Sequence, residues 1–320
     1  MSGDAPNPKM LARVYRSLRL IRRTEEEIAR IYPSDKIKSP VHLSIGQESV
    51  SVGVCDVLKH DDIMSATYRG HAAYLAKGGN INLMLAELYG KATGVAGGKA
   101  GSMHLVDMKA GVLGMSAVVG TTIPVAAGYA LALKREGLGR IVACFFGDGA
   151  TEEGVFSETL NFAALHKLPI LFICENNGFA IHSPLSKRWA TEALCERVRT
   201  YSIKTHEIGD ADVFVIRQTA ELALQAIRAG EGPQFMECKT YRWREHVGPG
   251  EDYDDDYRSR DRLTLWQKND PVKNTAEMLA DTERLAIDAA VEQEIADAIE
   301  FAEKSPWPEP EELFIHVYAD

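Results

Sequence analysis

Cysteine is scarce in this 320-residue chain, and the few that occur are odd in number and form no C-x-x-C pair. Two of them fall inside apolar segments that resemble strands. This pattern favours reduced, buried, small apolar residues in a reducing compartment over a disulfide framework. The cysteines are Cys55, Cys144, Cys174, Cys195 and Cys238.

Long apolar runs and an excess of positive charge are also missing. No stretch approaches the length of a membrane-spanning helix, and the N-terminal MSGDAPNPKM lacks the apolar core of a signal peptide. The 36 basic and 46 acidic residues give a net charge of −10, which argues against a nucleic-acid or anionic-membrane partner. We therefore expect a cytoplasmic protein that binds neither nucleic acid nor membrane.

Two common nucleotide-binding motifs are absent. Gly147, Gly149 and Gly154 do not have the G-x-G-x-x-G spacing of a dinucleotide fingerprint. Gly98-Lys99 is followed by Ala100, so the Ser or Thr of a P-loop is missing. A phosphate site in this chain would therefore be of a different kind from these two.

The centre of the chain predicts a βαβ unit. Ile141–Phe146 is short, apolar and rich in β-branched and aromatic residues, and it stops at Gly147-Asp148-Gly149. Glu152–His166 has the apolar spacing of a helix. Pro169–Cys174 is a second apolar strand, which stops at Glu175-Asn176-Asn177. Buried strands of this kind belong to a parallel sheet.

The two strand ends predict a Mg²⁺–diphosphate site. The carboxyl ends of parallel strands share one edge, so Asp148 and Asn177 should lie close together in the crevice where such sheets bind ligands. Carboxylate and amide oxygens suit Mg²⁺, which completes its octahedron with water and phosphate oxygens. A helix beginning just after Gly149 would aim free N–H groups at the same place. Either motif alone is about as often an ordinary turn as part of a ligand site. Together, at two strand ends, they favour the site.

Loops elsewhere carry further candidates. His42 precedes a helix that runs to Leu58, and Tyr68-Arg69 offers a hydroxyl and a guanidinium fork for phosphate oxygens. The glycine-dense segment 94–104 is either flexible or held around a ligand. The apolar segment Ala117-Val118-Val119-Gly120 could face a flat ring.

The ends of the chain give three more expectations. The arginines of a first helix over residues 8–32 are expected to face solvent. The segment 241–261 begins with two arginines and a histidine, and an acidic run that is expected to be a solvated loop follows them. Such segments are often mobile lids. The apolar tail 313–318 is expected to dock on another subunit. We predict one three-layer α/β domain over residues 1–320, with a mostly parallel sheet and a C-terminal helical extension and tail over 271–320.

The whole chain resembles the alpha subunit of the thiamine-diphosphate-dependent first component of 2-oxo acid dehydrogenase complexes, a family that includes the acetoin dehydrogenase alpha subunit. The likeness runs from HLSIGQES through TYRGH, GKAGSMH, the GDG…ENN unit and TYRWREH to PEPEEL, nearly the full length. It implies the thiamine-diphosphate-binding fold, with thiamine diphosphate and Mg²⁺ as cofactors.

The resemblance also implies roles for individual residues. The metal ligands would be Asp148, Asn177 and the carbonyl of Phe179. The residues that hold or line the diphosphate would be Tyr68, Arg69, Gly149, Ala150, Arg242 and His246. Backbone groups of Ala117 and Val119 would meet the aminopyrimidine, and His42 and His246 would transfer protons and stabilise an oxyanion.

The implied reaction is decarboxylation of a pyruvate-like 2-oxo acid, or cleavage of acetoin, with transfer of the acyl unit to a lipoyl-bearing acyltransferase component. A beta subunit would supply the glutamate that faces the pyrimidine ring, in an α₂β₂ assembly. Val247 stands where mitochondrial pyruvate members carry a phosphorylatable serine, and Glu245–Gly250 looks closer to the acetoin branch. Two alternatives remain: a split transketolase-type ketol transferase, and a non-catalytic Mg²⁺–phosphate-binding regulatory subunit.

Overall fold

A six-stranded sheet forms the middle layer of the fold. The computed structural model describes residues 6–253, 255 and 257–315. The strands of this sheet are β1 (Ile63–Thr67), β2 (Val112–Ser116), β3 (Val142–Gly147), β4 (Ile170–Asn176), β7 (Lys204–Ile208) and β8 (Gln234–Lys239). Two further strands, β5 (Phe179–Ala180) and β6 (Ser183–Pro184), form a separate antiparallel hairpin. The helices are α1 (Pro8–Ile31), α2 (Glu48–Cys55), α3 (His71–Ala76), α4 (Ile81–Leu88), α5 (Thr122–Glu136), α6 (Gly154–Leu165), α7 (Leu194–Arg199), α8 (Val213–Arg228), α9 (Arg260–Gln267), α10 (Pro271–Ala276) and α11 (Asp281–Lys304).

The sheet order is β2-β1-β3-β4-β8-β7, and all of its strand pairs are parallel. The predicted three-layer α/β fold with a mostly parallel sheet is confirmed. The strand order reverses between β1 and β3, because the chain leaves β1 in one direction and β3 in the other. Ligands of open parallel sheets bind at such a switch point. Gly147 at the end of β3 pairs with Glu175 near the end of β4.

Alternate residues of the central strands build two cores. Val142, Cys144 and Phe146 face α5, α6 and α7, whereas Ala143 and Phe145 face the layer that contains α2, α4, α8 and α11. Both faces are therefore buried, which explains the continuous apolar runs of β3 and β4. The five cysteines are free and buried, as predicted. Within the described part of the chain, no helix is long and apolar enough to cross a membrane.

The arginines of α1 face solvent only in part: Arg13, Arg16 and Arg30 are exposed as expected, but others are not. Arg22 is 6% exposed and its guanidinium pairs with Glu48 of α2. Arg23 pairs with Glu292 of α11. The acidic C-terminal helix lies along α1 and supplies its counter-charges, a contact between distant segments that local sequence does not reveal.

Several element boundaries differ from the prediction. Residues 148–152 form a 3₁₀ turn, and α6 begins at Gly154 rather than just after Gly149, because Glu153 is extended. Helix α8 begins at Val213, since the Asp212 side chain accepts from the N–H groups of Phe214 and Val215 and caps it there. Part of the predicted docking tail, residues 316–318, lies outside the described residues.

Candidate active site

A cavity of about 260 Å³ lies at the carboxyl edge of the sheet, beside the ends of β1 and β3. Its wall includes most of the predicted site residues: Tyr68, Arg69, Val119, Gly149, Ala150, Asn177, Phe179, Arg242 and His246. The other three lie next to this wall. Ala117 precedes the wall residue Val118, Asp148 lies between Gly147 and Gly149, and His42 packs on Tyr68. The structure brings the set together; what each residue binds stays a prediction.

Asp148 is almost fully buried, and its two carboxylate oxygens differ. Oδ2 accepts a hydrogen bond from Arg188, whereas Oδ1 is buried and has no hydrogen-bond partner among the described residues. Burial raises the pKa of this carboxyl, and the Arg188 guanidinium opposes that rise. An unpaired buried carboxylate oxygen is costly unless a cation or a donor meets it. Oδ1 therefore fits the role of a metal ligand.

The amide of Asn177 is held in one orientation. Its Nδ2 donates to Gln47 Oε1 at 3.0 Å, and its Oδ1 accepts from the N–H of Phe179 at 3.1 Å. The second lone pair of Oδ1 stays available to a cation. No cluster of three or more His, Cys, Asp or Glu side chains able to hold a metal occurs among residues 6–253, 255 and 257–315. A metal here has to use amide and backbone oxygens as well as Asp148.

The predicted anion site is formed by a 3₁₀ turn and not, as expected, by the first turn of a helix. Gly149 and Ala150 open the 3₁₀ turn that follows β3, so their N–H groups have no acceptor within that turn. The free donors next to Asp148 thus come from a short turn and not from the first turn of α6. Gly149 also packs closely, since a Cβ there would lie 3.0 Å from the Ala180 Cβ of β5.

Three aromatic rings meet at one end of the cavity. The His42 ring centroid lies 4.5 Å from that of Tyr68 and 5.3 Å from that of His246, and Tyr68 and His246 are 5.6 Å apart. Burial, followed by the nearby charge of Arg69, lowers the pKa of His42 and of His246 to about 3. Both imidazoles are therefore neutral near pH 7 and can both donate and accept hydrogen bonds.

Arg69 joins the end of β1 to the loop that carries His246. Its Nη1 donates to the Leu43 carbonyl at 2.7 Å, and its Nη2 donates to the His246 carbonyl at 3.0 Å and lies 3.3 Å from His246 Nδ1. Because arginine can only donate, Nδ1 of the neutral ring accepts and the ring proton resides on Nε2. Burial lowers the pKa of Arg69 to about 10, so it remains a cation.

Arg242 is buried, and several of its donors are already used. It contacts Asp252 at 3.1 Å, Tyr257 Oη at 2.8 Å and the Arg244 carbonyl at 2.6 Å. Asp252 is 4% exposed and also pairs with Arg258. The expectation that the acidic run is solvated is thus wrong for Asp252, because it neutralises two buried arginines. Residues 254 and 256 of the run lie outside the described residues.

The loop after β2 gives the cavity an apolar rim. Val118 is 63% exposed and Val119 is 43% exposed, and the Val118 N–H is held by Ser116 Oγ at 3.1 Å. The hydroxyl fixes the backbone of this rim at the strand end. Two exposed valines at a cavity mouth fit a surface that a flat ring or a partner chain covers.

The sequence prediction missed Glu175 and Gln47, both on the cavity wall. Glu175 is 6% exposed; burial raises its pKa to about 8, and Arg69 opposes that rise. Gln47, which is 1% exposed, orients Asn177. Both residues stand inside motifs of the resemblance, ENN and GQES, and their place in those motifs was the available clue.

The glycine-dense loop is held around a carboxylate of the chain itself. Glu87 of α4, which is 0% exposed, accepts four backbone N–H groups at 2.6–3.1 Å, from Ala96, Gly98, Ala100 and Gly101. Glu87 thus takes the place of the external ligand that the sequence suggested as one option. Its acidic side chain on a short helix gave no local sign of this role.

Comparison with protein families gives one match along most of the chain. The family model described as "Dehydrogenase E1 component" matches residues 16–311.

Curated relatives cover nearly the whole chain. The alpha subunit of acetoin:2,6-dichlorophenolindophenol oxidoreductase from Bacillus subtilis (strain 168) is 35% identical over 310 residues, 95% of this chain and 92% of that protein. The pyruvate dehydrogenase E1 component subunit alpha from Porphyra purpurea is 36% identical, over 96% of this chain and 92% of that protein. The protein of the same name from Zymomonas mobilis is 36% identical, over 96% of this chain and 88% of that protein.

Proposed function

The chain belongs to the dehydrogenase E1 component family, and from that premise we propose that it is the alpha subunit of a thiamine-diphosphate- and Mg²⁺-dependent dehydrogenase. Its substrate is a pyruvate-like 2-oxo acid or acetoin, and the acyl unit passes to a lipoyl carrier. The observation that supports this most is the unpaired, buried Asp148 Oδ1 at the switch point of the sheet. Asp148 directly follows β3, and Asn177 directly follows the neighbouring strand β4.

The metal and the diphosphate have a matching set of donors. Asp148 Oδ1, Asn177 Oδ1 and the Phe179 carbonyl would hold Mg²⁺, and the free N–H groups of Gly149 and Ala150 would meet phosphate oxygens. Arg69 supplies a positive charge on the same wall. When bound, thiamine diphosphate supplies the carbon nucleophile that attacks the substrate carbonyl.

The two histidines act on the substrate as neutral groups. His246 would present its Nε2–H to the carbonyl oxygen as negative charge develops there, since Arg69 occupies Nδ1. His42 has a buried Nδ1 without a hydrogen-bond partner among the described residues, so it can accept or return a proton once a donor reaches it. A neutral imidazole supplies both functions without the cost of a third cation beside Arg69 and Arg242.

The chain works with a beta subunit, as its place among the alpha subunits of this family implies. We propose that this partner brings the glutamate that faces the pyrimidine ring, in an α₂β₂ assembly. The exposed valines of the rim support a cofactor shared across the interface, because they leave the apolar mouth open to a second chain.

The substrate is tested with the co-expressed alpha and beta chains. Reduction of 2,6-dichlorophenolindophenol is followed with pyruvate, branched 2-oxo acids and acetoin, and one of them is expected to give thiamine-diphosphate-dependent turnover. Turnover only with sugar phosphates would favour a ketol transferase instead. Full activity in Asp148→Ala would favour a non-catalytic Mg²⁺–phosphate-binding subunit.

A further inference from the structure

Arg188 is fixed behind the metal end of the cavity. Its side chain is only 8% exposed and contacts three groups. Nε donates to the Ser183 carbonyl at 3.0 Å, while the two Nη atoms pair with the carboxylates of Asp148 and Glu152. The guanidinium thus joins the β5–β6 hairpin to the 3₁₀ turn that follows β3. A planar fork held at three points has little freedom to turn.

This arrangement gives the two oxygens of the Asp148 carboxylate different roles. Arg188 occupies Oδ2, and Oδ1 remains buried and unpaired. The carboxylate can therefore offer one oxygen to a cation but not two. Asn177 is restrained in a similar way by Gln47, so both predicted side-chain ligands are held by neighbours outside the metal sphere.

The number of oxygens that a carboxylate offers matters for metal selectivity. Mg²⁺ is small and demands an octahedron of single oxygens at about 2.0–2.1 Å, whereas Ca²⁺ accepts bidentate carboxylates and six to eight ligands at about 2.3–2.6 Å. We propose that Arg188 is a positioning residue that sets the metal selectivity of this site, by holding Asp148 to one-oxygen coordination and so favouring Mg²⁺ over Ca²⁺. This inference rests on the proposed function, which places a divalent cation at Asp148.

A simple charge effect makes a different prediction. Loss of the Arg188 charge would strengthen the binding of any dication, and Mg²⁺ and Ca²⁺ carry the same charge. Charge alone therefore shifts both affinities by a similar factor and leaves their ratio unchanged. A freed Oδ2 helps Ca²⁺ and not Mg²⁺, so the ratio of the two affinities isolates the positioning role.

The test uses the assembled alpha–beta protein and thiamine diphosphate as the probe. Calorimetry measures the concentration of Mg²⁺, and separately of Ca²⁺, that gives half-saturation of cofactor binding. Loss of an outer-shell partner typically changes metal affinity by roughly 10- to 100-fold. In Arg188→Gln we expect the preference for Mg²⁺ over Ca²⁺ to fall by about tenfold or more.

Lys187→Gln is the matched control. It removes one positive charge at the adjacent, exposed position, and Lys187 makes no ion pair within the described part of the chain. The Mg²⁺/Ca²⁺ ratio of this control should equal that of the wild type. If Arg188→Gln does not fold, Glu152→Gln loosens the same guanidinium from its other side and should shift the ratio in the same direction by a smaller factor.

An unchanged ratio in Arg188→Gln would overturn the proposal, including the case in which both affinities change equally. In the absence of a folded Arg188→Gln protein, an unchanged ratio in Glu152→Gln would do the same. Failure of the proposed function is a separate result: wild-type protein would then bind thiamine diphosphate equally well with and without a divalent cation.

Discussion

Replacement of Glu87 by glutamine tests whether one buried carboxylate holds the glycine-dense loop. Glu87→Gln keeps the shape and one carbonyl oxygen but turns the other acceptor into an NH₂ group. In the wild-type chain, each carboxylate oxygen of Glu87 accepts two backbone N–H groups, Oε2 from Ala96 and Gly98 and Oε1 from Ala100 and Gly101. The variant therefore loses two of the four hydrogen bonds and sets two N–H groups against a donor.

The expected size of the effect follows from these lost bonds. A hydrogen bond to a charged group contributes about 1.5–3 kcal/mol, so two contribute about 3–6 kcal/mol. The loop amides are partly exposed and water replaces some of the loss, which favours the low end, about 3 kcal/mol. Since about 1.4 kcal/mol is a factor of ten, local opening should become on the order of 100-fold more frequent.

Hydrogen exchange followed by mass spectrometry measures this opening directly. Peptides that cover residues 96–101 should exchange on the order of 100-fold faster in Glu87→Gln, while those of β3 and β4 should not change. Glu158→Gln, an exposed glutamate of α6, removes the same charge and should leave the loop unaffected. Wild-type protection of residues 96–101 in Glu87→Gln would refute the reasoning.

Three further predictions concern the core and the histidines. Arg22→Met leaves the fully buried Glu48 without its cation and should cost about 3–5 kcal/mol of unfolding free energy in denaturant titrations; a loss below about 1 kcal/mol would contradict a buried ion pair. His42→Ala should keep thiamine diphosphate binding by calorimetry but lose most turnover, and normal turnover would remove His42 from the reaction. His42 and His246 have a folded pKa of about 3 against an ordinary 6.5, so the unfolded chain binds more protons between these values. Their contribution to stability is complete above pH 6.5 and falls as the pH drops towards 3, so the melting temperature should fall in that range, and less steeply in His42→Ala.

The main elements of the site could be predicted because they follow from local patterns and one geometric rule. Apolar strands that stop at Gly147-Asp148-Gly149 and at Glu175-Asn176-Asn177 place their polar ends on one edge of a parallel sheet, and β3 and β4 do pair in this way. The strand β2 was not predicted, because Gly114 in a left-handed conformation interrupts a segment of only five residues.

The supporting contacts could not be predicted, because they join residues that are far apart in sequence. Arg188 reaches Asp148 across 40 positions, and Gln47 reaches Asn177 across 130. An arginine after an exposed lysine looks like an ordinary surface residue, and a glutamine before a helix looks like a cap. Only the folded chain shows that each one orients a predicted metal ligand.

The central claim is that Asp148 holds a divalent cation against a diphosphate. The direct measurement is calorimetric titration of thiamine diphosphate, with and without Mg²⁺, into the alpha–beta assembly containing wild-type chain or Asp148→Ala. We expect Mg²⁺-dependent binding in the wild type, and in the variant a loss that exceeds the roughly 10- to 100-fold typical of an outer-shell change. Binding of equal affinity in both proteins would contradict the claim.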